Sequence, residues 1–152
     1  VKQLIAQLDQ QFAELHRNAC ELAVAVHPNA VPPSEREVSF REYLRRAAGV
    51  VEQTFGGVTA NLWDDPFEWT LPETLNTPAL LIAYLDEVEA TRRRAFDSLN
   101  DDADLGREIV VPSGERVTLL SLFQTTIERA VTFQNSAIDI RDLPSAREVA
   151  ID

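Results

Sequence analysis

The chain has 152 residues, 45% hydrophobic and 26% charged, enough apolar material for one core and not the composition of a disordered segment. Acidic residues outnumber basic ones 25 to 14, and the net charge of −11 sets a long-range repulsion against nucleic acid and anionic membrane surfaces. One cysteine, Cys20, excludes an intrachain disulfide. No apolar run reaches the ~20 residues of a membrane-spanning helix, and no signal peptide opens the chain, so a single cytoplasmic domain over 1–152 is expected. The absence of any methionine predicts that Val1 is a processed or trimmed start.

The first helix is predicted over 1–25. Leu4, Ile5, Leu8, Phe12, Leu15, Ala19 and Leu22 recur at steps of three and four and make one apolar stripe. His16 and Cys20 stand one turn apart on its flank. They have the spacing of two metal ligands, but the only other histidine, His27, lies in a turn, so the plainer reading is a boundary histidine and a half-buried thiol. Pro28, Pro32 and Pro33 then stop the helix.

Two capping boxes follow, Ser34 with Glu37 and Ser39 with Glu42. Ser39 is taken as the cap of a second helix over 40–55, with Phe40, Tyr43, Leu44, Ala47, Ala48, Val51 and Phe55 as its stripe and Gly56-Gly57 as its end. Val58–Asn76 is irregular. Its centre, WDDPFEW from Trp63 to Trp69, crowds aromatics and acids around Pro66 and reads either as a flap over one end of a bundle or as a plug.

Thr77-Pro78 is a helix start, a capping hydroxyl before proline at the first helical position, and the third helix is predicted over 78–99. Arg92 falls in the middle of its apolar face. It must snorkel, find an acidic partner or face a ligand. Asn100–Gly106 is an acidic turn without the ligand spacing of a calcium loop. Ile109–Val111, a Pro112-Ser113-Gly114 turn and Glu115–Val117 suggest a short extended hairpin or a tight connector. The fourth helix is predicted over 118–140, capped by Thr118. Arg129, with Thr126 and Gln134 on its inner side, stands where a purely structural helix could carry Leu or Ala. Leu143-Pro144 breaks the chain, and Ser145–Asp152 reads as a small helix or a tail. These elements make an all-α four-helix bundle with a long loop between helices two and three, long enough to run along the bundle.

Three stretches, in this order, carry a resemblance: FREYLRRAAG in helix two, TPALLIAYLDEVEATRRRAFDSL in helix three, and VPSGERVTLLSLF at the entry to helix four. The chain resembles the DinB-like (YfiT-like) superfamily of four-helix bundles, a group associated with metal-dependent enzymes. The resemblance implies the fold. It also implies a divalent metal held by three histidines, one on helix two and two on helix four, but these positions fall on Arg46, Arg129 and Phe133 here. None of them offers a transition metal a suitable lone pair, so no metal and no cofactor is expected at that place.

Two guanidinium groups at the vacated positions suggest a small anionic ligand, bound by Arg46 and Arg129 with Phe133, with Arg92 as a third contact and Trp63 in the covering flap. The plainer alternative is two solvated arginines paired with nearby acids. A metal-free ligand-binding or dimeric interaction module is therefore weighed against a DinB-type enzyme, a thiol-dependent transferase or hydrolase, in which Cys20 and His16 would be the nucleophile and base. Leu120, Val131 and Ile138 at the outer edge of helix four are candidates for a homodimer surface. A diiron bundle is excluded because no helix carries a Glu-x-x-His pair.

Overall fold

The computed structural model describes residues 1–25, 34–64 and 77–143. Within them are four helices, α1 (Gln3–Ala23), α2 (Glu35–Ala60), α3 (Pro78–Asp97) and α4 (Leu119–Asp142), with a 3-10 turn (Asp102–Gly106) and two short strands, β1 (Glu108–Val110) and β2 (Arg116–Thr118), between α3 and α4. The strands pair antiparallel with Ile109 opposite Val117, and Gly114 takes the left-handed conformation (φ 87°) that closes the turn. Trp63 and Asp64 stand outside regular structure; the flap from residue 65 onward, His27 and the tail beyond Leu143 lie outside the described residues.

The caps explain most of the helix ends. Thr77 Oγ1 accepts the Leu80 N–H and Thr118 Oγ1 the Ser121 N–H, as the sequence suggests. The second helix differs from its expected bounds at both ends. Its cap is Ser34, whose Oγ accepts from Glu37 N at 3.1 Å, with Glu35 and Glu37 placed favourably in the first turn. Ser39 is instead inside the helix. Gly56-Gly57 does not end α2, which continues to Asn61 in the left-handed conformation (φ 56°). The glycines serve the close approach of the returning chain: a Cβ on Gly56 would meet Leu62 O at 2.9 Å, and one on Gly57 would meet the Trp63 ring at 2.3 Å. For α1 the cap comes from far away in sequence. Asp102 accepts the N–H groups of Leu4 and Ile5, both at 3.0 Å.

Cross-helix contacts settle the directions. Asp9 meets Arg92 and His16 meets Asp86, so α1 and α3 are antiparallel. Thr54 meets Thr126 and Arg36 meets Ile140, so α2 and α4 are antiparallel. Phe12 lies against Phe123, and Gln134 Nε2 donates to Leu15 O at 2.8 Å, so α1 and α4 are parallel. Tyr84 bonds Glu52 and Phe96 lies against Phe55, so α2 and α3 are also parallel. The bundle is up-down-down-up, in spatial order α1-α3-α2-α4, with α2–α4 the largest interface and α1 and α2 on a diagonal.

Two apolar clusters fill it. In the first, each helix supplies one phenylalanine, Phe12, Phe55, Phe96 and Phe123, and every pair of ring centroids is between 5.2 and 6.2 Å apart. The second, around Ala19, Phe40, Leu44, Leu81, Leu85 and Ala137, lies toward the other end.

Candidate functional site

Polar side chains enter this core at named places. Arg92 is wholly buried, over the rings of Phe12 and Phe96 with its guanidinium carbon 5.6 and 5.0 Å from their centroids. It donates to both oxygens of Glu89 and to Asp9. Of the three possibilities for this arginine, the structure supports the internal ion pair. Thr126 and Gln134 are buried too. Thr126 donates its hydroxyl proton to Leu122 O and so accepts from Thr54 at 2.6 Å, while Gln134 ties α4 to α1. Both are satisfied structural polar groups.

Arg46, Arg129 and Phe133 share the α2–α4 seam. Phe133 meets Tyr43 with ring centroids 6.4 Å apart. Arg46 lies one turn beyond Tyr43 and Arg129 one turn before Phe133. Because the helices are antiparallel, both steps lead the same way along the seam, so the two arginines occupy one stretch of it. Arg129 is exposed and Arg46 half-buried, whereas the neighbouring Arg45 is buried. Arg92 is not part of that group, since its partners are on α1 and α3. Trp63 is also remote. The chain turns back after Asn61 and lays the Trp63 ring on Gly57, about 16 Å along the axis from Arg46, with the Trp63 oxygen accepting from Gln53 Nε2 and the indole donating to Asn61 Oδ1.

At the opposite end from Trp63 a cavity of about 380 Å³ is lined by Ser34, Arg36, Glu37, Phe40, Arg41 and Ile140, among others. Arg36 is engaged there, donating to the backbone oxygens of Ile140, Arg141 and Leu143 and so capping α4. Of the expected partner surface on α4, Val131 is exposed, but Leu120 and Ile138 are half-buried against the chain's own core.

The arrangement that sequence reasoning missed is on the α1–α3 face. His16 Nε2 is 2.8 Å from Asp86 Oδ1 and 3.4 Å from Cys20 Sγ. The His16–Cys20 spacing was visible in the chain; Asp86, 66 residues beyond Cys20, carried no local signal and is supplied by the antiparallel packing of α3. Burial, then the carboxylates of Asp86 and Glu89, push the Cys20 thiol above its usual range. That disfavours the thiolate a nucleophile requires. Moreover, Cys20 and Asp86 meet the same ring nitrogen, whereas a nucleophile–base–carboxylate relay needs them on different nitrogens.

Taken together, the described residues define an all-α four-helix bundle with an arginine-bearing seam on one side and a His-Cys-Asp cluster on the other. No helix among them is long and apolar enough to cross a membrane. Compared with protein-family models, with curated proteins and with solved structures, the chain matches none.

Proposed function

We propose that the chain is a DinB-like bundle that binds a small anionic ligand on the α2–α4 seam, without the histidine-held metal expected there from the family resemblance. The observation that carries this reading is the Tyr43–Phe133 contact, which brings Arg46 and Arg129 to one stretch of the seam beside two aromatic rings. Guanidinium groups bind carboxylate or phosphate through paired charge-assisted hydrogen bonds, and rings beside them receive the apolar part of an amphipathic ligand. Within a chain of net charge −11, two arginines on one stretch of the seam supply local positive charge.

The test is titration with phenyl phosphate and benzoate, followed by chemical shifts, in the wild type, Arg46→Ala and Arg129→Ala. Each substitution should weaken binding at least about tenfold, roughly 1.4 kcal/mol, near the low end for one charge-assisted hydrogen bond. Binding of equal strength in all three would remove the reading.

The alternative of a thiol-dependent transferase or hydrolase has less support. It asks Cys20 to act as a nucleophile where its surroundings hold the thiol protonated and no relay is formed. A homodimeric interaction module would have Val131 as its exposed apolar contact on α4.

A further inference from the structure

We propose that His16, Cys20 and Asp86 form a binding site for one zinc-class divalent transition metal on the α1–α3 face. This site is on the opposite side of the bundle from the arginine seam and does not depend on that reading.

Convergence is the first reason. A thiol and a carboxylate from different helices both approach one imidazole nitrogen, and the three candidate ligand atoms all lie within 4.8 Å of one another. Groups arranged in series conduct protons; groups arranged around a point can share an ion.

The fit can be worked out. A tetrahedral zinc with bonds of about 2.05 Å to nitrogen, 2.3 Å to sulfur and 2.0 Å to oxygen separates N and S by about 3.6 Å and N and O by about 3.3 Å. The observed separations are 3.4 and 2.8 Å. Seating the ion therefore opens the N–S edge by about 0.2 Å and the N–O edge by about 0.5 Å, and closes the sulfur and carboxylate oxygen, now within 4.8 Å of each other, to about 3.5 Å. The carboxylate is the ligand best able to move, because the Asp86 side chain is 61% exposed. His16 and Cys20 are on consecutive turns of α1, the spacing by which a helix offers two ligands to one ion.

The donor set selects the metal. Sulfur, imidazole nitrogen and a single carboxylate suit zinc and its cobalt surrogate better than calcium or magnesium, which take oxygen. Asp86 and the nearby Glu89 also give the site the negative field that a cation requires. Binding releases the Cys20 proton to solvent, displaces the Nε2 proton that His16 donates to Asp86 so that the neutral ring keeps its one proton on Nδ1, and exchanges a water of the aquo-ion for each protein ligand. Three protein ligands leave the fourth position to water from the exposed side.

The experiment is titration of the full chain, stripped with chelator and kept reduced, with Co²⁺ and then Zn²⁺. The wild type should saturate at one ion per chain and develop the near-ultraviolet thiolate-to-cobalt charge-transfer band. Cys20→Ser should abolish that band with helicity unchanged. His16→Ala and the solvent-facing Asp86→Asn should each weaken zinc at least about tenfold, no less than outer-shell changes do at known metal sites. A folded wild type with no charge-transfer band, a band that survives in Cys20→Ser, or zinc affinity equal in all four proteins would each overturn the proposal.

Discussion

Replacing Arg92 by methionine tests the internal ion pair most directly. The guanidinium is wholly buried, its hydrogen bonds go to Glu89 and Asp9, and its faces lie over Phe12 and Phe96. Glu89 is itself only 6% exposed, so losing Arg92 strands a buried carboxylate. Breaking a buried pair from one side costs about 3–5 kcal/mol. Arg93 remains 3.2 Å from Glu89, but its side chain is 66% exposed and solvent screens it, so it offsets only a small part. We expect a loss of about 3–4 kcal/mol in urea unfolding followed by circular dichroism, and a fall in Tm of roughly 6–16 °C for a chain of this size. Arg92→Met combined with Glu89→Leu removes the orphaned charge as well and should recover at least half of the loss. A cost below about 1 kcal/mol for the single variant would refute the reasoning, since the guanidinium would then not be desolvated. A double variant less stable than the sum of both singles would show that shape, and not charge, sets the cost.

Two more outcomes follow from the described contacts. Because the folded chain raises the Cys20 pKa, it should alkylate with iodoacetamide more slowly than the urea-unfolded chain as pH rises to about 9, and the gap should close once pH exceeds the folded value; equal rates throughout would contradict this. In stability terms the thiol's contribution is fully present below its ordinary pKa and is lost as pH rises through the raised one. Asp102→Ala removes the acceptor of two α1 N–H groups and should cost about 1–2 kcal/mol, with faster hydrogen exchange at Leu4 and Ile5; unchanged exchange there would show that the cap is dispensable.

Periodic features were legible in the chain. The α1 stripe, the Thr77-Pro78 start, the Thr118 cap and the 109–117 hairpin all read correctly because each depends on residues within a turn or two of one another. The start of α2 did not, because Ser34 and Ser39 offer equivalent local boxes and nothing nearby ranks them. Its end did not either, because Gly56-Gly57 has the composition of a stop and its purpose, room for Leu62 and Trp63, is tertiary. The same division runs through the candidate sites. Arg92 stood out as a misplaced charge, but Asp9, 83 residues earlier, could be named only from the packing. Asp86 was one acid among 25 until α3 brought it beside His16.

The order α1-α3-α2-α4 also constrains how the chain can acquire its structure. The helix that follows α1 in sequence is its diagonal neighbour, so the first two helices have little surface to offer each other as a hairpin. The flanks of α1 are closed by α3 and α4, and its first free N–H groups wait for Asp102. A chain emerging from the ribosome would therefore carry the stripe from Ile5 to Leu22 uncovered until most of its length was made. Its productive contacts are long in sequence for an all-helical protein, and collapse should be closer to a single late event than to helix-by-helix accretion.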